Sequence, residues 1–504
     1  MANRQYVGAR YVPKFADPAE WDNIRQYESL TIVTHLGNSF TSKKPVPAGV
    51  DISNTEYWVN TGNYNEQIDA YRKEVQNLAK KTSGIIGYGA KADGVTDDTP
   101  AFNAMLNAVG YVYLPAGTYL FNNLVVNKQC LIFGDGIDTV LKCNGLTVNA
   151  FHCDVKEIRI SPSETCAFGL KITKSFCRVH DITIEDSQTA FFEKALMVGD
   201  VGQGAWNNSF SNVFINVTGS GFKGGDGVCL TSAVNNTFDN IHVYYKNNGI
   251  SLSEDKTAGY SIDGVQFSNL NVEHCYTGIV SAGCANIFLD NSIFDQCITK
   301  GFNAVNTNTI MVSNCYISCE QSSLNTYKGL ELNNCAHIKV VNTVFGGRMN
   351  DYGITLGSVS DCIIQNTQIE TFKNGVNIDE PCKDVIIDGC YFGETTEHSI
   401  EISSNYAKFY NITGGGAVVV YKGTDTALFD GVTVETFTPD GGQPDYDKTV
   451  GIPYPGRLAI IGVPRTGDIP FTISYLGNNV CRLHKLSGNW DGQSSVTVTW
   501  IYPK

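Results

Sequence analysis

Two acidic residues, Glu273 and Asp295, have a spacing that suits acid and base catalysis. They lie 22 positions apart, one period of a pattern that recurs along the chain. If the periods stack as strands, the two side chains face the same way with their backbones about 4.8 Å apart. Because two such carboxylates repel each other, we expect the pKa of one to rise and to make it a general acid beside an ionised partner. Their separation would be near that of retaining glycosidases, or near the inverting range if the side chains lay one turn further apart.

Further side chains near this pair are candidates for substrate contact: Tyr244, Tyr245, His274, Trp206, Glu320 and Arg348. Tyr244 and Tyr245 fall one period before the pair and offer flat rings that suit sugars. His274 could relay a proton or hold a phosphate group. Trp206, in the longest stretch between periods, is either a sugar platform or a hydrophobic lid. Glu320 and Arg348 lie in the loops that follow Glu273 and Asp295.

A plainer interpretation of Glu273 and Asp295 is that both are solvated where strands leave the core. A second polar cluster near the last period is expected to be a cap on the fold: Glu394, Glu397, His398 and Glu401. Metal chemistry has little support, because the sequence contains no HExxH motif, no CxxC pair and no EF-hand spacing. We therefore expect a site with no metal and no cofactor.

The elements that position these residues are repeated strands. Segments such as VHDITI, FSNVFI and FSNLNV align with one polar or glycine position in common, at spacings of 22 to 31 residues. These register positions are Glu157, Asp181, Asn212, Asn240, Asn269, Asn291, Asn314, Asn342, Asn366 and Gly389. A second strand of the form glycine, aliphatic, any, aliphatic precedes most of them. A period of this length without helical pattern predicts a parallel β-helix, with the asparagines forming an internal amide ladder.

Four regions follow from these changes of pattern. Residues 1–63 are predicted to be a small β module, 64–84 a neck helix, 85–413 the β-helix and 414–504 a C-terminal β domain that serves trimerisation or receptor contact. In the neck, Ile68, Tyr71, Val75 and Leu78 follow the a and d positions of about two heptads. That helix is either a short parallel coiled coil that gathers several chains or an amphipathic helix packed on its own domain.

Composition excludes several classes of protein. The net charge of −14 gives no electrostatic basis for binding nucleic acid. The first residues lack the pattern of a secretion signal and no run of 18 apolar residues occurs, so we expect synthesis in a cytoplasm and no membrane insertion. The 16 cysteines sit mostly in apolar strands, which favours buried free thiols over disulfides or a zinc site. With 50 glycines and only 17% charged residues, the chain is predicted to be mostly β.

Two resemblances sharpen these expectations. The stretch GYGAKADGVTDDTPAFNAML, followed by VYLPAGTYLF and FGDG, resembles the opening of the pectate-lyase-like superfamily of right-handed parallel β-helices, in which it supplies a helix that plugs the first turn. The segments YVGARYVPKFADPAEW and HLGNSFTSKKPVPAGVDI resemble the N-terminal region of preneck appendages, the tailspikes of small tailed bacteriophages, and are similar to small chitin-binding-type modules. The polygalacturonase and calcium-dependent lyase residue sets of the superfamily are not recognisable, so pectin is a doubtful substrate.

The tailspike resemblance implies a homotrimer on the virion, joined through its N-terminus to phage tail or neck proteins. It further implies that the β-helix binds host cell-surface polysaccharide or teichoic acid, and we expect hydrolysis of that polymer by Glu273 and Asp295. The alternative is an adhesive receptor-binding fibre without turnover. A bacterial polysaccharide enzyme outside any virus is a third possibility, which the neck helix and the lack of a signal pattern count against.

Overall fold

The computed structural model describes residues 18–62, 64–187, 189–218, 224–253, 261–319, 327–348, 352–379, 381–393, 395–403 and 407–410, and a set of strands beyond them. The chain divides into two compact units, Met1–Gly87 and Tyr88–Lys504. Together they give the all-β architecture with a parallel β-solenoid that the sequence predicts. The four finer regional boundaries remain predictions.

The first unit is a small antiparallel sheet followed by a helix. Its strands are Ile32–His35, Asn38–Ser42 and Trp58–Gly62. Val33, Val46, Ile52 and Trp58 form the core, and the ring of Tyr27 packs edge-on against Trp58 at 5.3 Å. Helix α1 (Tyr64–Thr82) then begins where the neck helix was expected, and a 3-10 turn, Gly84–Tyr88, follows it.

The second unit opens with the strand Asp93–Asp97 and helix α2 (Thr99–Val109). The helix starts at Thr99, with Pro100 in its first turn, where the missing N–H costs nothing. It buries Phe102, Met105 and Leu106, and the ring of Phe102 lies edge-on to Phe121 of the first coils at 5.6 Å. Helix α2 therefore covers apolar surface at the start of the solenoid with its own apolar face.

Each turn of the solenoid contributes strands to three parallel sheets. The first sheet holds Tyr111–Leu114, Leu131–Gly134, Asp263–Ser268, Ala285–Asp290, Asn308–Ser313, Ala336–Val341, Ser360–Gln365, Lys383–Asp388 and Ala407–Tyr410. The second sheet holds Asp93–Asp97, Gly117–Phe121, Thr139–Cys143, Asn271–Glu273, Ile293–Cys297, Tyr316–Cys319, Val344–Gly346, Gln368–Glu370 and Tyr391–Phe392. Four bent strands run through both sheets: Asp154–Pro162, Arg178–Asp186, Ser209–Val217 and Thr237–Tyr244. Short strands Ala205–Trp206 and Ala233–Val234 extend the first sheet.

The third sheet has thirteen strands in parallel register. They are Leu124–Val126, Leu146–Val148, Leu170–Ile172, Lys194–Val198, Asp226–Leu230, Asn248–Ser253, Thr277–Ala282, Lys300–Val305, Lys328–Asn333, Tyr352–Gly357, Phe372–Ile378, Thr395–Ile402 and Val419–Tyr421. The repeated glycine of these strands is needed because successive turns approach closely. A Cβ on Gly249, for example, would lie 2.3 Å from Val272 Cγ1 and 2.8 Å from the carbonyl oxygen of Gly278.

The register positions mark the bend between the first and second sheets. All ten have a positive φ, between 47° and 63°, a conformation that asparagine, aspartate and glycine adopt more readily than other residues. Their amides do form hydrogen bonds from turn to turn, as when Asn291 Nδ2 donates to Asn269 Oδ1 at 2.6 Å. The prediction of an internal ladder is nevertheless wrong, because Asn269, Asn291 and their successors are exposed at the outer side of the bend.

A buried amide stack does exist at another position of the turn. Asn208 and Asn236 are 1% and 0% exposed, and the Asn208 N–H donates to Asn236 Oδ1 at 2.9 Å. The interior is otherwise aliphatic and aromatic, with Phe210, Phe238 and Phe267 stacked on successive turns. All fifteen cysteines that the structure characterises are free, and most are buried, as expected.

The described segments of the C-terminal residues form six further strands in two antiparallel sheets of three. One sheet holds Phe429–Phe437, Ala459–Pro464 and Val496–Pro503, and the other Asp445–Thr449, Phe471–Gly477 and Val480–Lys485. The change from parallel to antiparallel pairing follows the end of the repeat in the sequence.

Candidate functional site

Glu273 and Asp295 are direct partners on adjacent turns of the second sheet. Tyr244 pairs with Glu273, and Glu273 pairs with Asp295, in one uninterrupted register. Each residue stands close to the point where its turn leaves this sheet. The equal spacing from the register asparagines therefore brings these three side chains into one column, the carboxylate column.

Alternation along the strands turns this column outward. Val272 and Phe294, the residues just before the two carboxylates, are fully buried, so Glu273 and Asp295 face the other side of the sheet. The next residue on each turn, Tyr245, His274 or Gln296, has a positive φ that bends the chain toward the third sheet.

Asp295 is held by hydrogen bonds from its neighbours. Its Oδ1 accepts from the hydroxyl of Ser318, which belongs to the following turn, and from the N–H of Gln296 at 2.9 Å. Two donors at one oxygen fix the orientation of the carboxylate. Ser318 occupies the carboxylate column one turn after Asp295, so the column itself supplies this contact.

Glu273 is electrostatically linked to two rings on the preceding turn. Burial raises the pKa of Tyr244, and the charge of Glu273 adds to this effect. Burial lowers the pKa of His242, and the charge of Glu273 opposes it. The Tyr244 hydroxyl also accepts a hydrogen bond from Asn271 Nδ2 at 3.1 Å.

An open groove of about 570 Å³ lies beside the carboxylate column. Its lining comes from the register asparagines and from the residues two positions after them: Asn240, His242, Asn269, Asn271, Asn291, Ile293, Asn314, Tyr316, Asn342 and Val344, with Leu270, Ser292 and Cys315 between. The ring of His242 stacks on exposed Phe214 at 4.5 Å and 18°, and Tyr316 is also exposed. The flat rings can pack on the apolar faces of sugar residues, and the amides between them can hydrogen-bond to the sugar hydroxyls.

Tyr245 and His274 are also brought together. Their rings are stacked at 4.9 Å with 5° between the planes, at the bend that follows the carboxylate column. The contact arises because both residues take the left-handed conformation at the same position of adjacent turns.

Two predicted contact residues lie elsewhere, and a third is outside the described residues. Trp206 pairs with Val234, and Val234 with Asp263, which precedes Glu273 by ten positions on the same turn. Its half-exposed side chain therefore lies at the start of the first sheet and not at the carboxylate column. Arg348 follows Gly346, three turns beyond Glu273, and Glu320 is not among the described residues. Of the expected polar cap, Glu401 lies on the strand Thr395–Ile402 and Glu394 is not among the described residues.

His242, Asn271, Phe214 and Tyr316 were not among the sequence candidates. They occupy positions two residues before the carboxylate column, and the same count along the repeat finds them. Their types differ from turn to turn, which is why no motif singles them out.

Among the described residues, no cluster of three or more His, Cys, Asp or Glu side chains is arranged to hold a metal ion. None of the described helices is both long and apolar enough to cross a membrane.

Comparison with known proteins places the fold. The family model "Rhamnogalacturonase A/epimerase, pectate lyase-like" matches residues 85–303, and "Right handed beta helix region" matches residues 259–434. No curated protein sequence gives a significant match. The chain has the right-handed parallel β-helix fold of pectate-lyase-like and tailspike proteins.

Similar solved structures include three phage proteins. A double mutant of the tailspike protein of E. coli bacteriophage HK620, in complex with a pentasaccharide, is 10% identical with a TM-score of 0.52 and covers 81% of this chain and 90% of its own. The Dettilon tailspike protein is 11% identical, covers 82% and 93%, and has a TM-score of 0.48. The pre-mature gene product 12 of bacteriophage phi29 is 18% identical, covers 71% and 59%, and has a TM-score of 0.46.

Proposed function

We propose that this protein is a tailspike or preneck appendage of a tailed bacteriophage. Its β-helix binds a host cell-surface polysaccharide or teichoic acid and hydrolyses it during adsorption. The observation that carries the proposal is the register pairing of Glu273 with Asp295 beside a groove of rings and amides. The fold shared with a tailspike that was crystallised with a pentasaccharide supports it.

The chemistry is addition of water across a glycosidic or phosphodiester backbone bond. Asp295, oriented by Ser318 and Gln296, takes the proton from the attacking water. For a glycosidic bond it can instead attack the sugar carbon, and water, deprotonated by Glu273, then hydrolyses the resulting glycosyl ester and frees Asp295. Glu273 gives a proton to the departing oxygen, so that one water is consumed for each bond cut. Tyr244 and His242 flank Glu273, where their rings can hold the unit next to the cut.

The test is release of soluble fragments from purified host wall polymer. Glu273→Gln and Asp295→Asn are each expected to lower the release rate by about a hundredfold or more, the scale of general acid and base catalysis. Glu370→Gln is a matched control, because Glu370 occupies the same column but pairs with Gly346 and is followed on the next turn by Gly393. Full rates in both site variants would show that the site is elsewhere.

The competing function is a fibre that binds without turnover. It predicts that the wild-type protein sediments with cell walls yet releases no fragments. Under the hydrolase proposal, the Asp295→Asn variant still sediments with walls, because the groove is intact. Fragment release by the wild-type protein alone therefore distinguishes the two functions.

The assembly that we propose is a homotrimer on the virion, attached to tail or neck proteins through the N-terminal unit. Its support is the apolar stripe of helix α1, formed by Tyr71, Val75 and Leu78, whose side chains are 58%, 49% and 63% exposed. Spacings of four and three residues put the three on one helix face. A parallel coiled coil of three chains would cover this stripe.

A further inference from the structure

A second groove, of about 310 Å³, lies on the outer face of the third sheet. Its lining residues are Lys328, Tyr352, Thr355, Lys373, Asn374, Asn377, Asp379 and Glu401. They come from four consecutive turns, with Lys328, Tyr352 and Asn374 in one register and Glu331, Thr355, Asn377 and Glu401 in another. The carboxylate column belongs to the second sheet, so this groove is a separate site.

The charges of the groove are balanced. Glu331, which is 8% exposed, is bound by the ammonium groups of both Lys300 and Lys328. Burial acts to raise the pKa of Glu331, but these two hydrogen-bonded cations outweigh it and lower the pKa. Among the described residues, the charged groups in and around the groove are three cations and three carboxylates: Lys300, Lys328, Lys373, Glu331, Asp379 and Glu401. A polyanion such as a phosphate polymer gains nothing from a surface with no net charge.

Most polar groups here are already positioned by one another. Asn374 Nδ2 donates to Glu401 Oε2 at 2.8 Å, and Asn377 Nδ2 donates to Asp379 Oδ1 at 2.9 Å. The ammonium of Lys373 lies 5.9 Å from the centre of the Tyr352 ring. The groove is therefore a preorganised surface of amides and ions around one aromatic ring.

Two polar atoms in this surface have no partner within the described part of the chain. Thr355 is 7% exposed and Asn374 is 3% exposed, yet neither Thr355 Oγ1 nor Asn374 Oδ1 takes part in a hydrogen bond there. A buried polar atom left in this state costs about 1–3 kcal/mol, so such atoms are uncommon unless a ligand or water completes them. Both residues line the groove, one as an acceptor and the other as a hydroxyl that can donate or accept.

We propose that this groove is a second carbohydrate site, which binds a neutral sugar residue. Adjacent sugar hydroxyls donate to Asn374 Oδ1 and pair with Thr355 Oγ1, and the apolar face of the ring packs on Tyr352. A neutral ligand is favoured because the charged side chains of the groove already compensate one another. The site requires no hydrolysis and goes beyond the function proposed for Glu273 and Asp295.

The full chain is titrated with small sugar probes, and saturation-transfer NMR measures the binding of each probe. The neutral probes are glucose, galactose and N-acetylglucosamine, and the charged probes are glucuronate and glycerol 3-phosphate. The Asp295→Asn background prevents turnover. Thr355→Val keeps the shape of the side chain and is expected to weaken binding of a neutral probe by about tenfold, the loss of one buried hydrogen bond. Its thermal midpoint should not fall, because Thr355 Oγ1 has no partner to lose.

Controls separate this site from the first groove. Thr343→Val is matched in chemistry, since Thr343 is buried but donates to Val341 O and lies outside the groove, so it should leave sugar binding unchanged. Asn374→Ala removes the second unpartnered oxygen and provides an independent test. If no neutral probe binds, if Thr355→Val and Asn374→Ala bind as wild type does, or if only charged probes bind, the proposal is overturned. If the wild-type protein released no fragments but Thr355-dependent sugar binding remained, the hydrolase proposal would fail and this site would still stand.

Discussion

Lys246 reaches Asp186, sixty positions earlier in the chain, and forms an ion pair that is wholly buried. Asp186 also accepts a hydrogen bond from the N–H of Phe192 at 3.0 Å, and Lys246 donates to the carbonyl of the same residue at 3.4 Å. Lys246 directly follows Tyr244 and Tyr245. The pair therefore anchors, from inside the solenoid, the bend that carries both rings of the candidate site.

Removing one partner of this pair should be strongly destabilising. Lys246→Met leaves the Asp186 carboxylate buried without its cation, and we expect the free energy of unfolding to fall by about 3–5 kcal/mol. The double variant Lys246→Met, Asp186→Leu removes both charges and should recover most of the loss. Chemical denaturation measures both. A double variant as unstable as the single one would mean that packing, not charge, is responsible.

The deficit of Lys246→Met should also depend on pH. Burial raises the pKa of Asp186 above 3.8, and the charge of Lys246 opposes this rise, so loss of the lysine raises the pKa further. A carboxylate with a raised folded-state pKa destabilises the protein above that pKa and is relieved by protonation as the pH falls through it. The stability difference between wild type and variant should thus shrink from pH 7 toward pH 4. A constant difference would contradict this account.

How far the sequence predicts the site depends on what a repeat reveals. The pairing of Glu273 with Asp295 follows from counting, because the bend needs a left-handed residue and asparagine marks it on most turns. The outward position of Asn269 and Asn291 was missed, because an amide suits a ladder on either side of the backbone. Lys246 and Asp186 meet across more than one turn through loops of unequal length, which no period encodes.

The groove of the third sheet was beyond sequence analysis for a different reason. Thr355 and Asn374 stand at positions where other turns carry residues as different as serine, valine, glutamate, tyrosine and lysine, so no repeated type draws attention to them. They become candidates only because Thr355 Oγ1 and Asn374 Oδ1 are buried without hydrogen-bond partners. Such burial depends on how long side chains from neighbouring turns pack, which the sequence does not show.

His242 should report the charge of Glu273. Burial lowers the pKa of His242 and the negative charge of Glu273 raises it, so Glu273→Gln is expected to lower the pKa further. NMR titration of the histidine ring protons measures this directly. Glu370→Gln, on a distant turn of the same column, should leave the titration of His242 unchanged. An unchanged titration in Glu273→Gln would mean that the two groups are further apart than the structure has them.

Glu331 should make the free energy of unfolding depend on pH in the acidic range. The pKa of Glu331 is lowered from 4.5 because the bonds to Lys300 and Lys328 outweigh burial. A depressed carboxylate pKa gives stability that is present above 4.5 and is lost as the pH falls through the folded-state value. Unfolding free energies measured from pH 6 to pH 3 should therefore fall less steeply for Glu331→Gln than for wild type. Asp361→Asn removes a carboxylate at an exposed pair with His337, outside the Glu331 cluster, and serves as the control for loss of a negative charge.

Helix α1 should hold the assembly together. Val75 and Leu78 are apolar and exposed on one face of α1, and a charge on that face would have to be buried in a coiled coil. We expect light scattering to give three times the 54.9 kDa chain mass for wild type and one chain mass for Val75→Asp with Leu78→Asp. Lys73→Asp alters charge on the same helix away from the stripe and should remain trimeric. A wild-type protein that is monomeric across the measured concentrations would rule out the coiled-coil neck, while fragment release by that monomer would show that the groove acts within one chain.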